Sequence, residues 1–317
     1  MKLDGLAQRL ADRGRIGLHA PLADKLGIGT TEQLRARLMA EAEDDRGHLG
    51  VYFLACYVVD DTDFWGDGEI YWWSIPALVD DAGRVQKDAV HGLPTGAPPH
   101  KCGDHEWMTS LSLREPPLLA VIPPDASVHA CSIRLGIYDD DGAAADLPTA
   151  MTAGLEAYLA LGNEPLAAAS QLVTPVRQAI WDSLKADEDD ILIEQDLVLR
   201  RGEVSRFGVG MVGSLMNAMA RAYYFVRDEA RTQQFGPITL HKGQSEMVRF
   251  DLPLKAPGKI ALFSRGADVS CPAFGDLSTD MPFINRVLEP RQEASLAAGF
   301  SAVGTGSAKL IAFYTPG

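Results

Sequence analysis

From position 51 the chain reads VYFLACYVV, nine residues without a charge, and after a polar interruption it reads IYWWSIPALV from position 70. Apolar runs of this length, bounded by Asp and Gly, are strand patterns, so strands are predicted over 51–59 and 70–79 with a turn at 80–83. Further strands are predicted over 107–113, 118–122 and 128–138, bounded by Pro116-Pro117 and Pro123-Pro124, because proline cannot donate to a central ladder. The segment HGLPTGAPPHKCG, 91–103, is dense in Gly and Pro and reads as a long exposed loop. Tyr71, Trp72 and Trp73 are consecutive, and side chains alternate along a strand, so at least one tryptophan faces away from the nearer core. It must meet a helix, another domain, a subunit or a ligand.

Helical periodicity appears in two places. Leu3, Leu6 and Leu10 share a face, and a second helix starts near Thr30, where Thr30 and Gln33 form a capping-box pattern ahead of Leu34, Leu38 and Met39. Over 147–186, Pro148 sits in a first turn behind Asp146, Met151, Leu155 and Leu159 share a stripe, and Gly162-Asn163 stops it. A partner helix runs from Pro165 with a kink at Pro175. Beyond it, short strands are predicted over 191–199, 222–226, 237–241, 247–252, 259–264 and 308–314. The pattern therefore predicts a mainly β fold with helical additions (α+β), two antiparallel β-sandwich-like regions joined by a helical segment. The expected divisions are N-terminal helices over 1–49, a first sandwich over 50–146, the helical connection over 147–186, and a second sandwich or jelly-roll-like region over 187–317.

Composition narrows the function classes. A chain of 317 residues with 46% hydrophobic content can fill such cores. A formal charge of -14 excludes a nucleic-acid binder that works by neutralising phosphates, and points to divalent cations or basic partners. Charges throughout MKLDGLAQRLADRGR leave no signal-peptide core, and no window supplies about 18 uninterrupted apolar residues. The expectation is a cytoplasmic protein, with leaderless export left open. Cys56, Cys102, Cys131 and Cys271 are widely spaced and read as buried free thiols.

The interruption between the first two strands holds Asp60, Asp61, Asp63, Asp67 and Glu69 with no basic residue. Calcium takes six to eight oxygens from a loop able to curl, which alternating carboxylates with Gly66 and Gly68 supply. It is not an EF-hand, because Trp65 and Trp72 fall at the fifth and twelfth positions counted from Asp61. A second acidic run, Asp139-Asp140-Asp141, ends the strand before Gly142 and Asp146. The lines VDDTDFWGDGEIYWWSI and SIRLGIYDDDGAAAD resemble the two calcium loops of C2 domains, with Gly68-Glu69-Ile70-Tyr71 where that family usually has Asp-Pro-Tyr. The resemblance spans about 50–146. It implies a β-sandwich whose acidic loops converge at one end to bind calcium and often lipid.

Three functional readings follow. The first is a non-enzymatic calcium-dependent module with Asp61, Asp63, Asp67, Asp139 and Asp141 as ligands and Trp65 beside them. It would engage a membrane surface or a protein partner through aromatic residues and the uncharged, Met-rich run FGVGMVGSLMNAMA, 207–220. The second is a structural subunit of a homo-oligomeric or filamentous assembly. The third is a metal-dependent hydrolase, with zinc on His100, Cys102 and His105 and Glu106 as general base, although that spacing matches no common zinc pattern. No GxSxG, P-loop or GxGxxG is present.

Overall fold

A computed structural model describes residues 47–61, 68–86, 95–108, 116–124, 128–140, 147–160, 169–184, 191–203, 208–251, 257–289 and 295–317. The expected N-terminal helices lie outside the described residues. Among the described residues the fold is mainly β, in three antiparallel sheets with a helical pair.

Sheet A has the order β5-β1-β9-β8, built from β1 (Leu49–Val58), β5 (Leu118–Ile122), β8 (Val212–Met216) and β9 (Ala220–Asp228). Sheet B has the order β3-β2-β6-β7, from β2 (Gly68–Val79), β3 (Val85–Gln86), β6 (Ala130–Asp139) and β7 (Ile191–Arg200), and β4 (Thr95–Cys102) also pairs with β2. Sheet C has the order β10-β14-β12-β13, from β10 (Gln233–Leu240), β12 (Gly258–Ser270), β13 (Phe283–Leu288) and β14 (Ser295–Pro316), with β11 (Ser245–Asp251) along the first part of β14.

Alternation along the strands sets the layers. Phe53 and Tyr224 are opposite each other on one face of sheet A, and Phe53 meets Trp72 of sheet B edge-on with centroids 5.2 Å apart. Phe225, one position on, projects the other way and stacks on Phe313 of sheet C at 3.9 Å. Sheet A is therefore the middle layer, and one continuous apolar core takes residues from all three sheets. In sheet C, Ala261 and Phe263 belong to that core while Ile260 and Leu262 belong to a second one.

The helices α1 (Leu147–Ala160) and α2 (Ala169–Leu184) cover the outer face of sheet B. Arg177 of α2 reaches Glu194 of β7 (Nη2 to Oε2, 2.6 Å), and Glu194 also faces Arg134 of β6. The aromatic strand is thereby explained. Trp72 enters the core between sheets, while Tyr71 and Trp73 pack against Tyr138 on the helix side, with centroids 5.4 and 5.7 Å apart. Gly136 sits opposite Trp73, and a Cβ there would lie 2.5 Å from the Tyr138 ring.

The mainly β fold with helical additions is as expected. The helical pair falls in the chain between β6 and β7, which are hydrogen-bonded neighbours in sheet B. β9 likewise completes the sheet that β1 begins. Hydrophobic periodicity reports which face of a strand is buried and says nothing about which strand lies beside it. The expected loop over 91–103 contains β4. Its register jumps from Ile70↔His100 to Trp72↔Ala97, a bulge that leaves Pro98 and Pro99 out of the ladder, so a Pro-Pro pair is tolerated in an edge strand.

Candidate functional site

Four chain segments converge at one end of the molecule: the end of β1, the start of β2, the turn after β4 and the end of β6. β1 and β2 belong to different sheets, and the antiparallel pairing of β2 with β4 and β6 returns both of those strands' C-terminal ends to Gly68. Carboxylates that follow strands at these four ends are thus gathered by topology.

Asp60, Asp61 and Asp104 each place a carboxylate oxygen within 4.8 Å of the others. Asp61 is 2% exposed, and its buried carboxylate accepts the Gly68 N–H through Oδ2 at 3.1 Å. Its own N–H donates to Asp104 Oδ1 at 2.8 Å, which fixes the β4 turn against the end of β1. Asp60 donates its N–H to the Met219 carbonyl at 3.2 Å, bringing the β8–β9 turn alongside. Each carboxylate offers about four acceptor positions.

Asp139, 4% exposed, lies on the other side of Gly68. Its Oδ1 accepts the Glu69 N–H at 2.8 Å, and a Cβ on Gly68 would sit 2.6 Å from Oδ2. A glycine is required here because the Asp139 carboxylate occupies the space a side chain would take.

The turn carrying Asp104 is closed by Glu106. Its Oε2 accepts the Gly103 N–H at 3.3 Å, and its carbonyl accepts the Val58 N–H at 2.9 Å. His105 takes a left-handed conformation, φ 59°, and points to solvent, while Cys102 is buried. Under the cluster, Cys56 and Cys102 lie close enough for their thiolates to interact, and burial above all pushes the Cys56 thiol far up. Thiols held protonated in this way are poor nucleophiles and poor metal ligands.

No protein-family model matches the chain, and no curated protein sequence does. Two solved structures of human GIVD cytosolic phospholipase A2 are matched, both in complex with methyl gamma-linolenyl fluorophosphonate and one also with terbium chloride. Identity is 9% and 8%, over 85% and 86% of this chain and 32% of each phospholipase chain, with TM-scores of 0.28 and 0.25. A crystal structure of tripeptidyl peptidase 2 is matched at 11% identity over 90% of this chain and 22% of that one, with a TM-score of 0.19. The chain thus spans about a third of the phospholipase chains. Superpositions this loose transfer neither fold nor function.

Of the five ligands expected from the sequence, Asp61 and Asp139 lie on either side of Gly68, and Asp63, Asp67 and Asp141, with Trp65, fall outside the described residues. Asp139 is not one of the three carboxylates that meet within 4.8 Å. Asp60 and Asp104 take that place. Asp60 was visible as part of the acidic run, but Asp104 stands alone just past the expected 91–103 loop, and only the pairing of β4 with β2 brings it here. Among the described residues the acidic trio is the one group of three candidate donors within 4.8 Å, and His100, Cys102 and His105 do not form a second. Glu106 closes the turn through its bond to the Gly103 N–H.

Proposed function

We propose that the chain is a calcium-dependent binding module that engages a membrane or protein partner at the acidic end of its sheets. The observation that carries this reading is the meeting of Asp61 and Asp104, 43 residues apart, with Asp60 in a space of 4.8 Å. Three like charges at that separation repel, and one of them is desolvated, so a divalent cation offsets the repulsion better than any other common ligand. The donors are all oxygen, which suits a hard cation and not zinc or copper. Three carboxylates fall short of calcium's six to eight oxygens. Water, Asp139 and the sequence-expected Asp63, Asp67 and Asp141 would supply the rest. An ion held there would bind the β1 end to the β4 turn and lower the negative field around it.

The test is thermal melting of the full chain in calcium and in chelator, with magnesium as control. Calcium is expected to raise the melting temperature by mass action, since it binds the folded state alone, and flotation with phosphatidylserine vesicles then reports whether lipid is engaged. Identical melting in calcium and chelator would sink the proposal.

A further inference from the structure

β8 is an outermost strand of the middle sheet, and the outermost strands of the other two sheets, β7 and β13, are tied to it. From β7, Gln195 Nε2 donates to the Met216 carbonyl at 3.2 Å, and the Asn217 amide just past β8 donates back to the Leu192 carbonyl. From β13, the Asn285 amide takes both the N–H and the C=O of Val212. Three sheet edges therefore stand together on one wall of the molecule.

Ladder alternation decides which backbone groups that wall presents. Asn217 donates its N–H to the Ala220 carbonyl at 3.1 Å, so Leu215 and Gly213 also turn their backbone groups to β9, while Val212, Ser214 and Met216 turn theirs outward. Side-chain amides hold the outer two of these positions. Ser214, between them and half-buried, has no hydrogen-bond partner on that side among the described residues. The outward groups at 212, 214 and 216 are symmetric about Ser214. An antiparallel strand of the same sequence centred there sets Ser214 opposite the partner's Ser214 and Val212 opposite the partner's Met216, with N–H facing C=O at each position. A two-fold axis normal to the sheet produces this pairing.

Charge selects the occupant. A second copy carries the same -14 and can approach only where the surface is neutral. The three edge strands hold two acids, Glu194 and Asp196, and two bases, Arg200 and Arg286. Both acids are already paired, Glu194 with Arg177 and Asp196 with Arg134 at 2.8 Å. Ile191, Val198, Met216 and Val287 stand on these same strands, four of the seven large apolar side chains exposed among the described residues. A strongly charged partner finds no field to follow here, whereas a like-charged copy meets no repulsion.

We infer that two copies of the chain associate through this wall, pairing β8 with β8 across Ser214 and joining two four-stranded middle sheets into one. The Asn285 and Gln195 amides hold the outer positions in the single chain and give way to the partner's backbone. The pairing is independent of calcium.

Sedimentation equilibrium of the full chain in chelator is the test. The mass is expected to rise with concentration from 34.2 kDa towards twice that value and no further, because a two-fold contact closes on itself. Ser214→Pro removes the central N–H and takes nothing from the β8–β9 ladder, so it should weaken association by roughly tenfold or more with unchanged circular dichroism. A second pair of variants carries the test if that one does not fold. Ser214→Lys and Ser214→Glu each set like charges across the axis and should weaken association alone, and mixing the two should restore it. A monomer at every concentration up to about 1 mM overturns the pairing, as does growth past the dimer. Association that Ser214→Pro leaves intact, or a Lys–Glu mixture no more associated than its components, overturns it equally. With calcium absent throughout, each outcome leaves the melting test of the ion site to stand or fall on its own.

Discussion

Asp61 carries two roles that substitution can separate. Its Oδ2 accepts the Gly68 N–H inside the structure, and its charge belongs to the trio with Asp60 and Asp104. Asn keeps an acceptor oxygen and loses the charge, while Ala loses both. Asp61→Ala is expected to cost about 1–3 kcal/mol, the penalty of a buried donor left without its acceptor. Asp61→Asn should cost much less in chelator and still abolish the calcium-dependent rise in melting temperature. Urea unfolding and calcium melting of the two variants check this, and a calcium shift retained by Asp61→Asn would remove the residue from the ion site. At this scale the sequence was half readable. Asp61 and Asp139 follow apolar strands and so had to sit at strand ends, but which acids meet depends on pairings between strands 40 or more residues apart, as Asp104 illustrates.

Among the elements, β8 shows how an edge strand is held. The side-chain amide of Asn285 on β13 donates to the Val212 carbonyl at 2.9 Å and accepts the Val212 N–H at 3.0 Å, doing for one residue what a neighbouring strand would do. Asn285→Ala strips both partners from an edge residue and is expected to lower stability by about 1–3 kcal/mol in urea titrations. Asn285→Asp should be nearly as damaging, since it cannot donate. β8 comes from the uncharged 207–220 run, whose composition favoured a buried loop or short core helix over insertion into lipid or a partner groove and carried no strand alternation. Strands with a strong apolar signature were legible almost to the residue: 118–122 was expected and is β5, and 70–79 falls within β2. β4 and β13 were not, the first because Pro98 and Pro99 mask it and the second because FINRVL carries too little alternation.

At the scale of the molecule, stacking three sheets buries several tyrosines. Burial raises Tyr57, Tyr223, Tyr224 and Tyr314 above the ordinary value of 10.0. A raised folded value means the folded protein keeps protons that the unfolded chain has released, so their contribution is complete below pH 10.0 and is lost as pH climbs through the raised values. Lys259, lowered by burial and donating to the Val209 carbonyl, works in the opposite sense just below 10.5. Four groups outweigh one. Urea midpoints should hold steady to about pH 9 and fall beyond pH 10, with a shallower fall in Tyr223→Phe. A midpoint that rises above pH 10 would contradict the sign.

Layer order also dictates when the protein can acquire its shape. Leu49 lies opposite Asp228 and Val58 opposite Ala220, so the central strand of the middle sheet lacks its longest partner until more than 160 further residues have left the ribosome. Nascent chains must shelter a strand as greasy as VYFLACYV throughout that interval. Refolding from urea is therefore expected to be slow, which stopped-flow tryptophan fluorescence checks.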